Sequence, residues 1–145
     1  MIAFLYIGGK LIAYCAWCYL GLRRFRASLG DVYTRSFFFG FLRLIMGLFF
    51  GVVIWLASSW MLSALGYGLP QNILTYLLVY VPVRWIEWSI MAALIVPELS
   101  FCSWLFGSSP ADRYWRLSGI VISCLADIPI IADLGGVIPT GRFLC

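Results

Sequence analysis

The chain has 145 residues, of which 63% are hydrophobic and 11% charged, with a formal net charge of +4. A soluble domain is about 45–50% apolar and about 25% charged, so this composition excludes an ordinary soluble domain, and it excludes disorder, which needs low hydrophobicity. There is no histidine, which removes His-ligated haem or zinc, Ser-His-Asp and Cys-His catalysis, and a histidine proton switch.

Four spans of about 20 residues each would use about 80 residues. The expectation is therefore an all-α integral membrane protein. It is a compact bundle of four transmembrane helices forming one membrane domain over residues 1–145, with spans near 1–22, 36–62, 73–96 and 115–138.

The first apolar run is broken only by Lys10. It lacks the basic start of a signal peptide, its apolar stretch is too long, and no small-residue cleavage site precedes a soluble body. A retained helix is expected. Tyr6, Lys10 and Tyr14 share one face of it. Cys15-Ala16-Trp17-Cys18 has redox spacing but sits in a helix with no βαβ pattern. These cysteines read as small apolar residues. Cys145 lacks the three residues that follow a prenylated cysteine. The connection that follows carries Arg23, Arg24, Arg26 and Arg35 against Asp31. Such a cluster sets topology and attracts anionic headgroups.

The second run holds Arg43, with Gly40, Gly47 and Gly51 at helical spacing. Gly47-x-x-x-Gly51 is a small-x-x-x-small pattern that invites close helix approach, including self-association. An uncharged turn is expected over residues 66–70. The third run holds Pro82, Arg84 and Glu87, flanked by Trp85 and Trp88. Those indoles read either as lipid-facing bulk or as a lid over the charged pair. The next connection contains Phe101, Trp104, Leu105 and Phe106 and is expected to lie at the membrane surface. The fourth run holds Asp127, Pro129 and Asp133. A helix broken across residues 126–133 is expected there. Trp17, Tyr19, Trp60, Tyr67, Tyr114 and Trp115 fit interfacial belts.

Lys/Arg bias sets orientation. Six arginines fall on the first and third connections, counting Arg116 with the loop, against Arg142 alone on the other side. Both termini are therefore expected outside a bacterial cytoplasmic (inner) membrane.

Lys10, Arg43, Arg84, Glu87, Asp127 and Asp133 lie inside the spans, and their charges sum to zero. Each would cost roughly 2.5–3.5 kcal/mol on a lone helix. Helical rise puts Lys10, Arg84 and Asp127 at roughly 18 Å depth, Glu87 at about 14 Å, Arg43 at about 10 Å and Asp133 at about 27 Å. The levels predict Lys10 or Arg84 with Asp127, and Arg43 with Glu87. Lys10, Arg43, Arg84, Glu87 and Asp127 are the candidate ligand-binding residues, and Glu87 and Asp127 the candidate acid–base pair. No metal site, cofactor or nucleic-acid partner is expected.

Three functions follow from these residues. The first is a non-catalytic or accessory subunit of a larger membrane complex, its partners being other membrane subunits, a second copy through the Gly47/Gly51 face, and lipid. The second is a membrane-embedded enzyme or binding site for an anionic lipid-like substrate, held bidentately by Arg43 and Arg84. The third is a small oligomeric transporter or channel using Asp127.

Overall fold

The computed structural model describes residues 2–26, 31–65, 73–96 and 100–133, and all its elements among them are helices. They are α1 (Ile2–Phe25), α2 (Val32–Leu65), α3 (Ile73–Ile95), α4 (Phe101–Phe106) and α5 (Pro110–Asp133). Among the described residues, three segments are long and apolar enough to cross a membrane: Val32–Leu56, Leu77–Ile95 and Pro110–Asp133. The turn expected over residues 66–70, Tyr67, Arg142, Cys145 and the end of the fourth expected span lie outside the described residues.

Local chemistry fixes the helix starts. Asp31 caps α2, its carboxylate accepting from the Thr34 N–H at 3.2 Å. At α5, Ser109 accepts from the Asp112 N–H at 3.2 Å, and the Asp112 carboxylate accepts from the Ser108 N–H at 2.8 Å. Pro110 then sits at the first helical position, where its missing N–H costs nothing. This cap starts α5 five residues before Trp115 and draws Asp112 and Arg116 into the helix.

Pro82 and Pro129 are both exposed, inside helices that continue past them. The break expected across residues 126–133 does not form, and α5 stays helical to Asp133. Each proline removes one backbone bond, and an outward-facing ring lets the rest of the ladder continue.

Successive long helices run antiparallel. Tyr19 stacks on Tyr33 at one end of α1 and α2, while Arg43 lies over Tyr14 further along. Between α1 and α5, Trp17 and Trp115 exchange hydrogen bonds, each indole N–H donating to the other's carbonyl at 2.9 and 3.2 Å. Trp115 is thus buried in the core with Tyr14, Leu22, Trp88 and Met91, and the belt reading fails for it. Trp60 and Tyr114 are exposed. Close approach depends on glycines. A Cβ on Gly40 would lie 2.4 Å from the Cys15 sulfur, one on Gly21 2.7 Å from the Trp115 ring, and one on Gly119 2.5 Å from the Trp88 ring. Gly47 and Gly51 are also buried within the chain.

Helix α4 opens on Ser100, whose hydroxyl accepts from the Ser103 N–H, and closes on Gly107 at φ 88°. That φ favours glycine. Arg116 holds the short helix from α5, donating to the Ser103 and Trp104 carbonyls at 3.2 and 2.5 Å, to Ser89 at 2.8 Å and to Asp112 at 2.8 Å. Trp85 adds an indole bond to the Leu105 carbonyl at 2.8 Å. Arg116 is fully buried, so it belongs to the interior and not to the loop charge.

Candidate functional site

The residues that sequence reasoning singles out inside the spans converge, with one exception. Lys10, Arg43, Arg84, Glu87 and Asp127 are each at most 1% exposed. Asp133 is exposed and stands apart from them.

Asp127 is the hub. One of its oxygens accepts from Lys10 at 2.7 Å and from the Tyr6 hydroxyl at 2.8 Å. Its other oxygen takes the Arg84 guanidinium, which also donates to the Cys124 sulfur. The depth argument offered Lys10 or Arg84 as partner, and the carboxylate takes both. Each arrives by helical spacing. Tyr6 and Lys10 lie one turn apart on α1, and Gly119, Ser123 and Asp127 lie one turn apart on α5. Gly119 and Ser123 make room for Trp88, whose indole N–H donates to Ser123 at 3.4 Å.

Arg43 pairs with Glu87 at 2.5 Å, as the levels predict. Its guanidinium carbon lies 4.9 Å from the Tyr14 ring centre and 5.3 Å from that of Trp88. Trp88 is fully buried over Arg43, the partner of Glu87, and is not lipid-facing bulk, whereas Trp85 donates to the Leu105 carbonyl away from the pair. Tyr80 covers Arg84 in the same way at 5.7 Å. Glu87 Oε1, Arg43 Nε and Nη1 and the Tyr14 hydroxyl are buried without hydrogen-bond partners.

The five charged residues comprise three cations and two acids. Beside them, between α1 and α5, runs an open cleft of about 350 Å³. Gly9, Ala13, Ile122, Leu125, Ala126 and Pro129 line it, with Tyr6 and Lys10 as its polar side chains. Ile7 and Ile12 of α1 and Val121 and Ile128 of α5 are exposed.

Sequence reasoning missed two features here. Arg116 looks like loop charge, although the Ser109-Pro110 start places it inside α5. The Trp17–Trp115 exchange has a weak signal in Gly21, four residues after Trp17. Among the described residues no group of acids and cysteines has metal-binding geometry. Comparison with family models, with curated proteins and with solved structures gives no match.

Proposed function

We propose that the chain is a bundle of four membrane-spanning helices, with both termini on the non-cytoplasmic side, that serves as a non-catalytic accessory subunit of a larger complex in a bacterial cytoplasmic membrane. The carrying observation is that the buried acids are engaged by cations from other helices: Asp127 by Lys10 and Arg84, and Glu87 by Arg43. Charges used this way fix which helices meet and at what height. Arg43, Arg84, Glu87 and Asp127 are fully buried, and fully buried groups do not touch a substrate.

The fourth span is α1. Its 24 residues reach about 36 Å, enough for a hydrocarbon core of about 30 Å. Lys10 lowers its apolarity, and that charge is paired inside. The basic connection between α1 and α2, with Arg23, Arg24 and Arg35 exposed, supports a cytoplasmic position for that end. Helix α4 turns Phe101 and Phe106 outward, which suits a segment lying in the membrane surface.

Helix α2 leaves Phe37, Phe38, Phe41, Leu48 and Phe49 exposed. That surface suits lipid or a partner helix, whereas the Gly47/Gly51 stripe is already covered inside the chain. A substrate held directly by Arg43 and Arg84 has less support, because both guanidinium groups are fully buried. A cation carried on Asp127 would have to displace Lys10, Tyr6 and Arg84.

Purification from native membranes in mild detergent tests the reading. Co-eluting membrane subunits are expected. A lone, monodisperse monomer overturns it.

A further inference from the structure

The fold pairs its buried cations and leaves those at the α1–α2 connection open. Lys10, Arg43, Arg84 and Arg116 each meet an acid inside the bundle. Among the described residues, none of Arg23, Arg24, Arg26 and Arg35 forms an ion pair. Asp31, the acid between them in sequence, is engaged at the start of α2 with the Thr34 N–H.

One of these arginines is held in place. Arg23 Nη1 donates to the Tyr19 hydroxyl at 3.3 Å, and its guanidinium carbon lies 5.7 Å from the centre of the Tyr19 ring. Tyr19 stacks in turn on Tyr33 of α2, with ring centres 5.3 Å apart. This two-ring platform orients the guanidinium where α1 meets α2 and leaves its Nε and Nη2 unspent. Arg26 lies three residues further on the same face. Its N–H still bonds to the Leu22 carbonyl at 2.9 Å, so the helical path carries through to it. Arg24 is exposed, about 100° round the helix from Arg23.

Level and apolar surface name the ligand. With Lys10 near mid-membrane, Tyr19 lies about 14 Å and Arg23 about 20 Å along α1 toward its basic end. Half the hydrocarbon core is about 15 Å, so the tyrosine falls at its edge and the guanidinium in the headgroup layer. Tyr33, Phe37 and Phe41 are exposed at successive turns of α2 and lead from the platform into the hydrocarbon. A ligand that uses both has a phosphate for the guanidinium fork and an apolar chain for the aromatic stripe. A headgroup ammonium would set a further cation among arginines, so the headgroup beyond the phosphate is uncharged. A basic cluster alone draws anionic lipid diffusely, whereas the platform makes one defined place for it.

We propose that the Arg23–Tyr19–Tyr33 platform, with Arg26, is a binding site for an anionic phospholipid, its phosphate on the two arginines and one acyl chain along Phe37 and Phe41. The proposal rests on the reading of α1 as a membrane span, and it does not require a partner complex.

The test is titration of the full chain in detergent with phosphatidylglycerol or phosphatidylethanolamine, bound lipid being counted by native mass spectrometry. Phosphatidylglycerol should bind about tenfold or more tighter. Arg23→Gln should weaken it about tenfold, the loss of one charge-assisted hydrogen bond. Arg23→Lys keeps the charge and should still lose about threefold, the share of the aromatic platform. Arg24→Gln removes the same charge from another face and should bind as the wild type does. Soluble glycerol phosphate in large excess should not displace the lipid. Equal binding of the two lipids, equal losses in Arg23→Gln and Arg24→Gln, no loss in Arg23→Lys, or displacement by glycerol phosphate each overturns the site. Arg23 is exposed, so these variants are expected to keep the wild-type circular dichroism. Cysteine-accessibility mapping of the two ends of α1 in nanodiscs separates the site from the span. Failed lipid binding with α1 spanning removes the site alone, whereas both ends on one side remove the span and the site together.

Discussion

Lys10 Nζ on α1 lies 2.7 Å from an oxygen of Asp127 on α5. The other oxygen of the same carboxylate takes Arg84 of α3, so one acid ties three helices. The net attraction need not be large. Polar contacts between membrane helices average about 0.6 kcal/mol, while an unpaired charge costs roughly 2.5–3.5 kcal/mol to insert. The pairing therefore acts mainly by penalising every arrangement that leaves a member alone. That is how a charge cluster selects one helix register out of many apolar ones.

Asp127→Asn keeps the shape and removes the charge. Lys10 and Arg84 then remain buried with no carboxylate between them. A loss of roughly 3–5 kcal/mol is expected, the range for breaking a buried pair from one side. Unfolding in detergent, followed by circular dichroism, measures it. Adding Lys10→Met should recover part of the loss. Wild-type stability in Asp127→Asn would remove the locking role.

Arg43 and Glu87 allow a cleaner cycle, because both are fully buried and joined at 2.5 Å. Arg43→Met and Glu87→Met should each destabilise by about 3–5 kcal/mol. The double variant should be much milder, since two matched apolar side chains replace a desolvated pair. Arg43→Lys should still cost about 1–2 kcal/mol, because Lys cannot stack its charge as a plane between Tyr14 and Trp88. Additive losses in the double variant would mean that the two residues act separately.

The site was more legible in the sequence than the edges of the fold. Helical rise alone matched Lys10, Arg84 and Asp127 in level, and Arg43 with Glu87, because long apolar helices crossing one slab share a ruler. The choice between Lys10 and Arg84 was not legible, since level says nothing about lateral distance. The start of α5 was hidden because the Ser109-Pro110 cap works through three or four polar atoms that hydropathy does not weigh. Trp115 passed for a belt residue because a tryptophan near a span end looks the same whether it faces lipid or α1. Pro129 suggested a break, and the exposed ring left the helix whole.

Gly21→Ala and Gly119→Ala test the packing that the charges depend on. Each new methyl would sit 2.5–2.8 Å from a buried indole, Trp115 in one case and Trp88 in the other. Overpacking of this kind costs typically about 1–3 kcal/mol. Trp115 must also keep its bond to the Trp17 carbonyl, so Gly21→Ala should shift the tryptophan fluorescence as well as the unfolding midpoint. Gly9→Ala is the control, because its Cβ meets nothing within 4 Å, and it should leave both readouts unchanged. Equal behaviour of all three variants would argue against close helix contact at Gly21 and Gly119.

Arg116 should govern α4 without governing the rest of the fold. Its guanidinium reaches the Ser103 and Trp104 carbonyls, Ser89 and Asp112. The two carbonyls belong to a six-residue helix with no buried residue of its own, too short to be stable unaided. Arg116→Lys keeps the charge but presents a point in place of a fork, so it cannot serve all four acceptors at once. Hydrogen exchange in α4 should rise first, while the amides of α3 around Arg84 and Glu87 stay protected. Arg116→Ala should go further and leave Asp112 half-satisfied at the start of α5, adding about 1–3 kcal/mol of global loss. Exchange that rises uniformly across α3, α4 and α5 in Arg116→Lys would mean that the residue is a general core element and not a latch on α4.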